Sequence, residues 1–107
     1  IFHIINDQYK KLFNNNEWNK FNYPEFKYAE CSTCTKKLGL KTYKKTNGFF
    51  TEYSKSTASE DMAEVYSHII FLDKKKIDKI RNLDPILNNK ISYIENKIKK
   101  IDNSFTF

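Results

Sequence analysis

The chain's apolar positions fall into blocks of helical period separated by one long stretch with none. Ile1, Ile4 and Ile5, followed by Tyr9, Leu12 and Phe13, recur on one helical face and predict a helix over residues 1–13. Asn14, Asn15 and Asn16 read as its end. Residues 17–47 show no sustained period; Trp18, Phe21, Tyr23, Phe26 and Tyr28 are scattered among polar residues around Pro24. So many aromatics in so aperiodic a stretch predict an irregular insertion, over about 14–52, docked onto the core by its rings. Its last part, Gly48 to Tyr53, reads as a short strand or an extended segment.

Periodicity returns at Thr57. Thr57-Ala-Ser-Glu60 fits a capping box, and Glu60 and Asp61 lie in the first turn, where the helix dipole favours acids. The helix is expected to run to about Leu72, with Met62, Val65, Tyr66, Ile69 and Ile70 available for packing. After Lys74-Lys75-Lys76, a short helix carries Ile77, Ile80 and Leu83. Asp84-Pro85 is a start signal, with Asp as N-cap and Pro at the first helical position. The final helix has the stripe Leu87, Ile91, Ile94, Ile98 and Ile101, which lasts too short a distance for a coiled coil and reads as one face docked on a core. Residues 103–107 read as a tail. These elements make a mainly helical domain with about four helices.

Composition narrows the classes. At 107 residues the chain holds one domain at most. Aromatics at 16% argue against disorder and require a core built from Phe, Tyr and Ile. No apolar run is long enough to cross a membrane. The first residues, Ile-Phe-His, carry neither a basic nor an apolar leader region and read as the interior of a longer protein. The net charge of +6 comes from lysines dispersed over the whole chain, with one run at Lys74–Lys76, so a solvated surface is expected before a nucleic-acid face. Cys31-Ser-Thr-Cys34 stands alone; half a zinc ribbon, a redox pair and a local disulfide all stay open, and so does the compartment.

The candidate chemistry begins with Glu60 and Glu64. Four residues apart, they share a helix face with His68, and two like charges at that spacing cost a few tenths of a kcal/mol unless a positive group sits between them. The bland reading makes Glu60 the capping-box acid and pairs Glu64 with a lysine or His68. His3 supplies the contrary hint. A zincin motif, His-Glu-x-x-His, would read x-x-His from residue 1 if its first two residues preceded the chain. Zinc takes two such His one turn apart, and in many of these enzymes a Glu from a later helix.

The run GFFTEYSKSTASEDMAEVY, residues 48–66, resembles the third-ligand segment of the gluzincin metallopeptidases related to anthrax lethal factor and the bacterial zinc-binding metallopeptidases. The family's pattern of Tyr, six residues, Glu, an aromatic or acidic residue, an apolar residue, Ala and Glu is filled by Tyr53, Glu60, Asp61, Met62, Ala63 and Glu64. His3 with Ile-Ile-Asn-Asp7 after it is similar to the run following the family's second zinc His. EWNKFNYPEFKY resembles the insertion between its two helices, and DPILNNKISYIENKI its Pro-started final helix.

The resemblance implies that the chain is the C-terminal helical subdomain of a zincin-like metallopeptidase, with residues 1–13 the remainder of the active-site helix, 53–72 the third-ligand segment and 73–107 the C-terminal helices. It implies Zn²⁺ as cofactor, His3 and Glu60 as metal ligands, Glu64 as the acid that orients a ligating His, and Tyr53 as a catalytic donor to the oxyanion or the leaving amine. Peptide or protein substrates follow. The first His and the catalytic Glu of the motif are expected upstream of Ile1, so the chain alone is expected to be inactive. A basic module binding nucleic acid or an acidic partner, a zinc or redox module around Cys31 and Cys34, and an inactive metallopeptidase relative are the alternatives. The metallopeptidase stands ahead of them because His3, Tyr53 and the Glu60–Glu64 pair occur in the family's order. His3, Tyr53 and Glu60 are then expected to converge.

Overall fold

A computed structural model describes residues 13–29, 47–51 and 53–101. The expected helix over 1–13, His3, Cys31, Cys34 and the tail lie outside the described residues. Within them the chain is mainly helical, and no β-strand occurs among the described residues.

The asparagine triplet opens a helix here. Asn14 is extended, and its side chain accepts from the N–H groups of Asn16 and Glu17, starting α1 (Asn15–Asn19) inside the stretch read as irregular. Five residues are too few to register as a period, and asparagine favours the cap it occupies here. Trp18 is the only residue of α1 that is buried, and it is fully so. Phe13, Phe21 and Tyr28 join the core beside it, so this part of the insertion is docked by its rings as expected. Residues 47–51 take the non-strand alternative. At Gly48 φ is +89°, and a Cβ there would run into the Ile86 side chain, so the position favours glycine.

A 3₁₀ turn (Tyr53–Lys55) leads into α2 (Ala58–Phe71) and packs on it. Thr57 Oγ1 accepts from the Glu60 N–H at 3.0 Å, the capping bond read from the sequence. Met62, Val65 and Ile69 are buried, whereas Ile70 and Phe71 turn outward; Phe71 is 85% exposed. One residue of helix is 100° of rotation, enough to carry Ile70 off the face that holds Ile69. Helix α3 (Lys74–Leu83) begins at the lysine run itself, because Asp73 caps it by accepting from the Lys76 N–H. Helix α4 (Pro85–Ile101) starts at the Asp84-Pro85 signal: Asp84 Oδ1 accepts from the Leu87 N–H at 3.0 Å.

Leu87, Ile91, Ile94 and Ile98 of α4 meet Met62, Val65 and Ile69 of α2, with Ile77 of α3, Phe13, Trp18 and Phe50 closing one core. Each fully buried Leu or Ile contributes about 1.5–3 kcal/mol relative to an exposed one. Arg81 of α3 fastens this layer to α4 by donating to Asn88, Ser92 and Glu95 at 2.6–2.8 Å.

Candidate functional site

Helix α2 presents two acidic faces of different character. On one, Glu60, Glu64 and His68 follow at successive turns, all half-buried. On the other, Asp61 shares the apolar face with Val65 and Ile69 and is fully buried.

On the first face, the Glu64 carboxyl is pushed above the usual carboxylate range. Desolvation is the main cause; the charge of His68 opposes it, and the charges of Glu60 and Asp61 reinforce it. The two glutamates therefore feel each other, as their spacing predicts. The His68 ring is held in place. Its Nδ1 is 2.7 Å from the Glu64 carbonyl oxygen and 3.9 Å from Glu64 Oε2, and the ring stacks on Phe50 at 4.1 Å and 11°. A carbonyl oxygen only accepts, so Nδ1 is the donor in this hydrogen bond.

Tyr53 opens the 3₁₀ turn that packs on α2, which sets it beside the helix bearing Glu60. Its carbonyl accepts from the Ser56 N–H, and Thr51 fastens the same turn by accepting from the Ser54 N–H. Lys55 in that turn accepts at its carbonyl from the Ala29 N–H, tying the insertion to the segment. Among the candidates read from sequence, Tyr53, Glu60 and Glu64 thus lie on one turn and the helix it enters. The convergence of His3 with them falls outside the described residues. No group of three or more His, Cys, Asp or Glu side chains placed to hold a metal occurs among the described residues.

On the second face stands a cluster that the sequence reading passed over. Asp61 Oδ2 accepts from Lys90 Nζ at 2.7 Å, from Tyr28 Oη at 2.6 Å and from Trp18 Nε1 at 3.0 Å. Lys90 is as fully buried as Asp61; it also donates to the Gly48 carbonyl at 2.6 Å and lies 3.9 Å from the centre of the Phe49 ring. Burial pushes the Asp61 carboxyl up and the Lys90 ammonium down, each resisted by the other's charge. The signal was present in the pattern. Asp61 precedes Val65 and Ile69 by one and two turns, and Lys90 falls between Leu87 and Ile94 on the buried stripe. An acid and a base on two apolar faces that must meet will find each other.

Residues 1–104 match the model of the family described as "Putative zinc-binding metallo-peptidase". Neither a curated protein nor a solved structure matches the chain.

Proposed function

The chain belongs to the zinc-binding metallo-peptidase family, and we propose that it carries the third-ligand half of a zinc-dependent peptidase that hydrolyses peptide bonds. The observation that carries this reading is the Glu60–Glu64 face of α2. Two acids are kept half-buried on one side of a helix, the charge of Glu60 adding to the desolvation that raises the Glu64 carboxyl, immediately after a fastened turn bearing Tyr53. A cation beside them would convert that repulsion into attraction. The donor set is a hard carboxylate from Glu60 and an imidazole from His3, which suits Zn²⁺.

In this reading, bound zinc supplies Lewis-acid polarisation of the scissile carbonyl and of a water. Glu60, through its carboxylate, and His3 would hold the metal. Glu64 accepts from the ring N–H of a ligating His, fixing its tautomer and orientation. The Tyr53 phenol donates a hydrogen bond to the carbonyl oxygen as negative charge develops there. The first His and the general-base Glu of the motif are not among the residues of this chain. Gluzincin grouping and inactivity of the isolated chain follow from the same reading.

The test uses the full-length protein. Zinc content is measured by elemental analysis and turnover on a peptide library. Glu60→Gln is expected to lose stoichiometric zinc and, with it, cleavage. Tyr53→Phe is expected to keep zinc and lose roughly 10²–10³ in kcat, the usual cost of one oxyanion donor. Stoichiometric zinc in Glu60→Gln would overturn the ligand assignment, and full turnover in Tyr53→Phe the catalytic one.

A further inference from the structure

We infer that the buried Asp61–Lys90 pair is a positioning device that fixes Glu60 and the Tyr53 segment relative to one another; this rests on the function proposed above. The pair is the meeting point of the described segments that carry Tyr53, Glu60 and Glu64. Asp61 directly follows Glu60 in the first turn of α2. Lys90 grips the Gly48–Phe49 stretch, which leads to Tyr53, through the Gly48 carbonyl and the Phe49 ring. The Gly48 N–H is held from the other side by Asp84 Oδ2 at 2.7 Å. Trp18 and Tyr28 bring the insertion to the same oxygen of Asp61.

Stability alone does not explain such a pair. Taking both charges out of water is costly, and apolar side chains of similar volume commonly serve a core as well or better. Asp61 Oδ1 is buried without a hydrogen-bond partner among the described residues, a further cost that an apolar side chain would avoid. What the pair provides is direction. The apolar part of the α2–α4 contact is Met62, Val65 and Ile69 against leucine and isoleucines, and the hydrophobic driving force itself is non-directional. The ammonium instead needs a carboxylate, a carbonyl and a ring face at fixed positions, and the carboxylate needs three donors on one oxygen. Rotating α2 about its axis, or sliding the Gly48 segment, breaks several charge-assisted bonds at once. The direction in which Glu60 leaves the helix is set by that rotation.

The experiment compares Lys90→Met, the double variant Asp61→Asn/Lys90→Met and Tyr28→Phe in the full-length protein. Each is assayed for urea stability, zinc affinity by competition with a chelator, and the visible spectrum of the Co²⁺-substituted form at saturating metal. Lys90→Met leaves a buried carboxylate unpaired, and its urea midpoint is expected to fall steeply. The double variant removes both charges and is expected to regain most of that stability. Its zinc affinity is nevertheless expected to stay roughly 10–100-fold below wild type, the usual loss when the support of a metal ligand is removed, with a shifted cobalt spectrum. Tyr28→Phe removes one bond to Asp61 and leaves the charge pair, so it folds even if the double variant does not; a several-fold loss of zinc affinity is expected.

A merely structural pair predicts that zinc affinity and the cobalt spectrum recover with stability. Wild-type affinity and spectrum in the folded double variant, or wild-type affinity in Tyr28→Phe, overturns the inference. Glu60→Gln separates the two levels: if it retains stoichiometric zinc, the ligand reading falls and this inference with it. If it loses zinc while the double variant binds normally, this inference falls alone.

Discussion

The phenol of Tyr28 donates its proton to Asp61, while its oxygen accepts from the Trp18 and Asn22 side chains. Burial first, and then the adjacent Asp61 charge, hold its pKa well above the ordinary tyrosine value. The folded chain therefore keeps this proton at pH values where the unfolded chain releases it. Its contribution to stability is complete below the unfolded pKa of about 10 and is lost as the pH rises further toward the folded one. Tyr28→Phe is expected to cost about 1–2 kcal/mol at neutral pH through the lost hydrogen bonds. Between pH 8 and 11 it is expected to lose less stability than wild type. Urea unfolding across that range checks this, and parallel curves for the two proteins contradict it. Gly48 offers a second test at this scale. Its φ of +89° and the approach of Ile86 leave no room for a methyl group. Gly48→Ala is expected to destabilise by about 1–3 kcal/mol from the backbone conformation alone, before any displacement of Ile86. A change below a few tenths of a kcal/mol in the urea midpoint analysis contradicts that.

Asp84 serves two helices and a loop. Its N–H closes the end of α3 on the Ile80 carbonyl, its Oδ1 caps α4, and its Oδ2 takes the N–H of Gly48. Asp73 caps only α3, on the exposed side. Replacing Asp73 by Ala is expected to cost about 1 kcal/mol, the ordinary worth of a cap. Asp84→Ala is expected to cost that and about 1–3 kcal/mol more, because the buried Gly48 N–H loses its acceptor. Equal urea midpoints in the two variants would show that the Gly48 bond contributes nothing. The caps also mark what the sequence disclosed about the elements. Thr57, Asp84 and Pro85 act locally, so their neighbours in sequence sufficed to place the starts of α2 and α4. Lys90 acts across the core. Its neighbours Leu87, Ile91 and Ile94 announced a buried stripe, but a lysine on it reads as surface until a partner is known, and that partner lies on another helix. Helix α1 escaped for the opposite reason: one turn is shorter than the window in which a helical period shows. In the candidate site, the order of Tyr53, Glu60 and Glu64 was legible because it is a matter of spacing on one turn and one helix. What fastens that turn to the helix is tertiary and left no local trace.

At the scale of the whole molecule, the described first part of the insertion, residues 14–29, is anchored on the longer helices. Trp18, the chain's single tryptophan, is fully buried between Phe21 and Tyr93, edge-on to both rings, and donates to Asp61. The N–H of Asn14 is tied to the Tyr93 hydroxyl, so both ends of α1 are anchored on longer helices. Tryptophan fluorescence therefore reports docking of the segment around Trp18, whereas far-ultraviolet circular dichroism reports helix, to which α2, α3 and α4 contribute most among the described residues. If Asp61 and Lys90 make one cooperative unit of these parts, the two signals share one urea midpoint, as a two-state domain requires. Removing the Lys90 ammonium weakens the unit at its junction, where Trp18 and α2 meet at Asp61. Lys90→Met is then expected to move both midpoints down together, because the core residues around Trp18 belong to the same cluster as those of α2 and α4. A fluorescence transition that completes at lower urea than the dichroism change in the wild-type protein would mean that the insertion is a separate, weaker unit. Tyr53 and Glu60 would then be positioned without the Trp18–Tyr28 part, through the Gly48–Lys90 bond and the cap on Thr57.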